Sequence, residues 1–534
     1  MPVLDEIVPV GQGLVGSAGR PRDPDCAKGL SPPPLAILAG GFLALGLLWR
    51  CLRYFLQFPI WGDEGLVLFD VVDCDYYGLT RTLPIFQIAP ILFLWTERAV
   101  WQLLGASELA VRLPAFLAGC GGLLIFAWTA RRFLTPLQSV FAIGFLAVSY
   151  WPLRHCCEVK PYALDLLAAA GMFHATLAWL LERRTRWLVF LSLWTPPAIL
   201  ASYPAVFVAG GMSLAMLPKI WPARSKARGL YALFNMLIVA AFAGHYFGVT
   251  RNQIDVPRLT EQSAWLQDYW RDSFPPASLI GWPYWLLKAH ASSVFAFPVG
   301  GSDWVGTVPF LLAALGAWHL WSSGRRSLLL ACLAPFGMTM IAAALHKYPY
   351  GGSPRLVQHL APMASVLIGV GGARMLEWIS SPVLRGRWTM AACVVLALFA
   401  VGGILRDLCV RTKAEHELAV RNRVEEFRKK RTADEPVLLC NAFGEAPIVG
   451  EWYLRADPGD IRRAEVLAEA PRSAWLVRFT LDAYARPTPE QVLSMLGERA
   501  AGWTIAESSE AWLPPGGPGD PGYYWTQVRI VRGP

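Results

Sequence analysis

Two adjacent carboxylates, Asp63 and Glu64, stand between glycines in the stretch WGDEG, just after an apolar run that extends from about residue 34 to residue 58. Asp70, Asp73 and Asp75 follow, so five acids lie within thirteen residues. Clustered carboxylates repel one another unless a cation or a proton-transfer role stabilises them. Two chemistries suit this spacing. Asp63 and Glu64 could serve as the catalytic pair that positions and deprotonates a hydroxyl, or Glu64, Asp73 and Asp75 could hold a divalent cation. The plain alternative is a solvated helix end, because an acid at a membrane boundary costs little.

A second stretch, RHCCEVKPYALDLL (residues 154–167), sets Arg154, His155, Glu158 and Lys160 beside Tyr162 and Asp165. Pro161 suits the first turn of a helix entering a membrane. On such a helix Glu158, Tyr162 and Asp165 would share one face at i, i+4 and i+7. Asp165 would lie about one turn inside, where an acid must face the protein interior. A third stretch, HKYPYGGSPRLVQHLAPM (residues 346–363), opens with a Gly- and Pro-rich turn that carries Lys347, Tyr350 and Arg355. Arg355 begins an apolar run and can reach an anionic group at the membrane surface. Interhelical salt bridges and a snorkelling anchor are the structural alternatives for these charges. Acids that handle a hydroxyl, next to cations that neutralise a phosphate, suit the transfer of a group from a lipid phosphate.

The elements that must position these residues follow from composition. Of 534 residues, 54% are hydrophobic and 16% charged, whereas soluble domains carry about a quarter charged residues. Apolar runs at about 35–56, 111–130, 137–153, 162–181, 187–202, 204–217, 230–249, 304–322, 327–345, 356–378 and 388–405 imply a polytopic α-helical membrane protein. Five connections, ARRFLTP, ERRTRW, PKIWPARSKARG, SSGRRS and SPVLRGRW, are basic. All five fall on one side if there are eleven spans and a cytoplasmic N-terminus. The net charge of +9 is accounted for by these clusters, so a nucleic-acid partner is not expected. The ten cysteines show neither zinc spacing nor a disulfide pattern. Residues 1–34 read as a loose cytoplasmic tail, 35–405 as the membrane domain with 58–110 as its first outer loop, and 406–534 as a small extracytoplasmic α/β domain. Within the outer loop, 85–104 reads as a helix lying in the interface or dipping partly into it.

The order of these features resembles the glycosyltransferase family 39 type, which includes the protein O-mannosyltransferases and the aminoarabinose transferases that modify lipid A. WGDEG after the first span, LLGASELAVRLPAFLAG, the YWPLRHCCEVKPYALDLL corner and YPYGGSPRLVQHLAPM carry the resemblance over about residues 35–380. It implies a GT-C fold and a cell-membrane glycosyltransferase that moves a hexosyl or pentosyl residue. The donor would be a polyprenyl-phosphate sugar and the acceptor a lipid, glycan or protein on the outer side, with membrane lipids around the chain. It also implies that Asp63 is the base and that Lys160 and Arg355 bind the donor phosphate. His155, Glu158, Tyr162, Asp165, Tyr350 and Glu97 complete the expected substrate-binding set. Many members carry His-Pro-Pro or Glu-Lys-Pro in the loop helix where this chain has QIAP (Gln87–Pro90), and Glu97 is the acid that could substitute. A transporter or flippase would instead call for internal repeats, of which the sequence has none. A non-catalytic member of the fold would bind lipid-linked sugar without transferring it.

Overall fold

The structure is a computed structural model that describes residues 35–84, 87–253, 270–413, 415–432, 435–441, 447–455, 471–482, 484–515 and 522–533. The expected tail over 1–34 lies outside them. Helices follow the chain as α1 (Leu35–Phe55), α2 (Gly62–Asp73), α3 (Ile91–Leu104), α4 (Glu108–Phe133), α5 (Pro136–Ala147) and α6 (Tyr150–His155). Next come α7 (Tyr162–Glu182), α8 (Thr185–Ala201), α9 (Ala205–Ile220), α10 (Ser225–His245), α11 (Trp282–Ala289) and α12 (Thr307–Ser322). The series ends with α13 (Arg326–Ala344), α14 (Ala361–Glu377), α15 (Pro382–Cys409), α16 (Glu415–Lys430), α17 (Ile448–Arg455) and α18 (Pro489–Ser494).

Each apolar run expected from the sequence carries a helix. Among the described residues, seven helical segments are long and apolar enough to cross a membrane, and α5 and α9 are apolar but shorter. Their ends follow local chemistry. At α5, Thr135 accepts from the Gln138 N–H while the Gln138 side chain accepts from the Thr135 N–H, and Pro136 occupies the first turn. Glycine sets the closest crossing: a Cβ on Gly371 of α14 would lie 1.8 Å from the Leu312 carbonyl oxygen of α12, and one on Gly316 would lie 2.0 Å from the Leu367 oxygen. Only small residues let two helices approach this closely.

Contacts divide the chain into two compact units. The first holds the residues up to Tyr54, Tyr76–Thr96 and Arg112–Arg406; the second holds Phe55–Asp75, Glu97–Val111 and Asp407–Pro534. In the first unit several basic connections meet at one end. Arg132 pairs with Glu182, Arg183 donates to the Lys219 oxygen at 3.4 Å, and Arg325 donates to the Phe133 oxygen at 2.6 Å. The N-terminal turn of α1 is at the same end, where Arg131 donates to the Ala36 oxygen at 3.4 Å.

The second unit is built on a four-stranded sheet of β1 (Val437–Leu439), β2 (Ser473–Leu481), β3 (Trp503–Leu513) and β4 (Tyr523–Arg532), in the order β1-β2-β4-β3. β1 and β2 run parallel and the other pairs antiparallel. Helices α2 and α17 pack together here: a Cβ on Gly65 would lie 2.7 Å from Ile448 Cγ2, and Phe69 meets the Trp452 ring edge-on at 6.4 Å. The unit therefore takes helices from the 58–110 segment as well as from the C-terminal segment.

Candidate active site

In the first unit the turn between α6 and α7 gathers charge. Arg154 Nε donates to Glu158 Oε1 at 2.7 Å, and His155 Nδ1 lies 2.8 Å from Glu158 Oε2. Burial opposes ionisation of Glu158, but His155 and Arg154 outweigh it and hold the carboxyl well below the usual carboxylate range. Burial pushes His155 below the usual imidazole range, with Glu158 pulling the other way. With the imidazole neutral, its Nδ1–H donates to a carboxylate kept ionised by Arg154. The His155 ring also packs on Tyr162 at 4.9 Å.

One sequence expectation is corrected here. Glu158 does not share a helical face with Tyr162 and Asp165, because α7 begins only at Tyr162. Pro161 holds the N-cap, and Lys160 N donates to the Glu158 oxygen at 2.8 Å in a tight bend. The bend turns the Glu158 carboxylate back onto α6. Tyr162 and Asp165 do lie in the first turn of α7, and Asp165 is buried.

Lys160 is buried, with Nζ 3.5 Å from Gln87 Oε1. The QIAP segment thus touches the corner through an amide. It is itself held by Gln253, which accepts from Ala89 N at 3.3 Å, and by His245, which accepts from Ile91 N at 3.3 Å. Arg355 lies close enough to act electrostatically on His155, and its guanidinium stands over the Trp270 ring at 4.9 Å. Tyr350 is buried, hydrogen-bonded through its hydroxyl to His290 Nε2 at 3.0 Å, and its N–H donates to the Ser273 oxygen at 2.8 Å. The left-handed glycines Gly351 and Gly352 make the turn that delivers Arg355; a Cβ on Gly352 would collide with Ser273 Oγ at 1.8 Å.

Two cavities accompany these residues. One of about 430 Å³ is lined by Tyr150, Trp151, Arg154, Gly300 and Arg406, and Arg406 stands over the Tyr150 ring at 5.0 Å. Another of about 1060 Å³ is lined by Arg271, Phe274, Tyr284, Trp285, Lys288 and His346. Sequence reasoning missed Tyr150, Trp151, Arg406, Trp270 and His290, which belong to aromatic or apolar surroundings with no spacing signal of their own.

In the second unit, Asp63 and Glu64 sit in the first turn of α2, Asp63 half-buried and Glu64 buried. Anionic side chains favour this end of a helix. Glu64 Oε2 accepts from Trp61 N at 3.3 Å, and Lys413 stands over the Trp61 ring at 2.7 Å. The chain entering α2 is fixed by Ile60 N, which donates to the Tyr453 hydroxyl at 2.8 Å, while Tyr453 also reaches Glu108. Arg421 completes this anchor on Glu108 at 3.1 Å. At the other end of α2, Asp73 pairs with Arg455 at 3.1 Å. The C-terminal segment therefore positions the Asp63–Glu64 turn at both ends.

Glu97 on α3 is buried, and neither carboxylate oxygen has a hydrogen-bond partner among the described residues. Burial, and then the charge of Glu64, push its carboxyl well above the usual range. Burial and the charge of Asp70 push the Cys74 thiol up to about 11, which marks the same acidic surroundings. Among the described residues no three His, Cys, Asp or Glu side chains gather as a metal-ligand set. Asp73 already neutralises Arg455, and Asp75 lies just beyond the end of α2.

Comparison with known proteins follows the same lines. The family model described as dolichyl-phosphate-mannose-protein mannosyltransferase matches residues 89–246. Among solved structures, the chain resembles ArnT from Cupriavidus metallidurans bound to undecaprenyl phosphate, with 15% identity, 92% of this chain and 97% of that chain covered, and a TM-score of 0.50. The apo form of that protein gives 13% identity, 92% and 98% coverage, and a TM-score of 0.49. The apo oligosaccharyltransferase of Archaeoglobus fulgidus matches at 11% identity over 79% of this chain and 64% of that chain, with a TM-score of 0.40. No curated protein sequence matches significantly. The likeness to ArnT bears on the fold: this chain is a multi-pass helical membrane protein of GT-C-like architecture with a small C-terminal sheet.

Proposed function

We propose that the chain is a membrane glycosyltransferase that moves a sugar from a polyprenyl-phosphate donor to an acceptor hydroxyl on the extracytoplasmic side. The observation that carries the reading is the corner of the first unit, where Arg154, His155 and buried Lys160 share the turn that holds Glu158, and Arg355 lies within electrostatic reach of His155. The matched family model spans this corner, and the related fold in ArnT is seen with undecaprenyl phosphate. Asp63 takes the acceptor proton. The acceptor oxygen then bonds to the anomeric carbon as the carbon–phosphate oxygen bond breaks, with inversion. Polyprenyl phosphate departs with its charge stabilised by Lys160 and Arg355, so the leaving group needs no proton. His155, Tyr162, Asp165 and Tyr350 line the donor side. The end bearing the basic connections is cytoplasmic by the positive-inside bias, which faces the corner outward.

The test is mass spectrometry of cell-envelope glycans and glycolipids from cells with the protein, without it, and with Asp63→Asn. The reading expects one sugar-sized mass increment that is present only with the intact protein. Identical profiles in all three would exclude it. Repeating transfer by purified protein with a chelator tests whether a divalent cation at Glu64, Asp73 or Asp75 takes part.

A further inference from the structure

We propose that a cavity at the basic end of the first unit binds the phosphate-bearing headgroup of an anionic phospholipid, a role separate from glycosyl transfer. The cavity measures about 800 Å³ and lies between the α7–α8 and α9–α10 connections. Arg183, Arg184, Arg186, Lys219, Arg224 and Lys226 line it. The acid beside them, Glu182, is shared among Arg132, Arg186 at 2.7 Å and Arg184 at 3.8 Å, so the surroundings stay strongly cationic. The positive-inside bias explains why these residues are basic. It does not explain why two separate connections fold around one concavity.

Arg183 is what joins them. It closes α7 in the left-handed region at φ 56, where glycine or asparagine is the usual choice. Its guanidinium donates to the Lys219 oxygen at 3.4 Å and stands over the Trp179 ring at 4.9 Å. An arginine at a position unfavourable for its backbone points to a use for its side chain. Arginine forks match phosphate oxygens in pairs, and basic pockets between membrane helices on this side hold anionic headgroups. A soluble phosphate would share that chemistry. The neighbouring face of α9 favours the lipid, since Leu214, Leu217 and Trp221 are 47%, 45% and 80% exposed, a strip suited to acyl chains with an aromatic residue at its edge.

The test uses the full chain purified in neutral detergent. Native mass spectrometry follows retention of added cardiolipin, and thermal melting follows protection by inorganic phosphate. The wild type should retain cardiolipin, and Arg184→Gln/Arg224→Gln/Lys226→Gln should weaken retention on the order of a hundredfold for three cations near an anionic lipid. Arg326→Gln/Arg387→Gln, at other basic connections, should retain it as the wild type does, and Arg184→Lys/Arg224→Lys should keep most of the affinity. Equal retention by the triple variant, or equal loss in the control pair, overturns the site. Protection by inorganic phosphate that the triple variant loses, with no cardiolipin retained, overturns the lipid assignment.

Discussion

The corner of the first unit and the α2 turn of the second both bury carboxylates, and they treat them in opposite ways. At the corner, Glu158 is flanked by Arg154 and His155, and its charge is welcome. Beside α2, Glu97 is buried, neither oxygen has a hydrogen-bond partner among the described residues, and Glu64 is its electrostatic neighbour, so its charge is penalised. The corner is built to balance an anion. The α2 region favours the protonated form of Glu97. The two regions also answer to pH in opposite directions. The folded corner binds fewer protons than the unfolded chain, so its stability falls as pH drops below about 6.5 for His155 and then below about 4.3 for Glu158. Folded Glu97 binds its proton more tightly than the unfolded residue, so its contribution weakens as pH rises above about 4.3.

The comparison can be broken most forcefully at Glu158. Glu158→Ala leaves Arg154 without its buried partner, and a loss of about 3–5 kcal/mol is expected. Thermal melting of the purified protein checks this; a melt within a degree or so of wild type would mean that the corner charges are solvated rather than paired. Next in size is the donor phosphate. Lys160→Met and Arg355→Met should each weaken binding of a polyprenyl-phosphate sugar by about 1.5–3 kcal/mol, the worth of a charge-assisted contact. Unchanged binding in an equilibrium titration would remove those residues from the donor site. The smallest effect sharpens the α2 side. Glu97→Gln replaces a reluctant acid by a neutral amide, so it should raise the melting temperature by a few degrees, more at pH 8 than at pH 5. A gain independent of pH would contradict the account of Glu97.

Much of the helical architecture was legible because long apolar runs report helices that can cross a membrane. Helices stand at every expected run, and several of the basic connections meet at one end of the first unit. The helix expected over 85–104 is α3, which begins at Ile91 and leaves Trp95, Leu103 and Leu104 exposed. In the C-terminal segment β1, β2 and β4 were readable as short apolar or aromatic runs. β3 was not: its Glu507, Ser508 and Glu510 are exposed on the sheet edge, and a polar edge strand has no hydrophobic period to detect. The corner shows the same limit. Glu158 was assigned to the face of α7 by spacing alone, yet the bend before Pro161 interrupts the helix and turns it to Arg154 and His155. Likewise, the sequence placed the acids of WGDEG in an outer loop. That Tyr453, Arg421 and Arg455 of the C-terminal segment would fix this loop is a contact across hundreds of residues, which no local pattern encodes.

The central claim is that Asp63 activates the acceptor while the corner binds the donor. It is tested most directly by measuring sugar transfer and donor binding together on purified wild type, Asp63→Asn and Glu64→Gln. Asp63→Asn keeps the size of the side chain and much of its hydrogen bonding but removes the base. The account expects donor binding within about twofold of wild type and transfer reduced at least about a hundredfold, the scale of a lost general base. Glu64→Gln, which can still accept from Trp61 N, should lose less than about tenfold, the scale of a helix cap. Near-normal turnover by Asp63→Asn with intact donor binding would contradict the claim and leave Asp63 as an acid at the start of α2 with no part in the reaction.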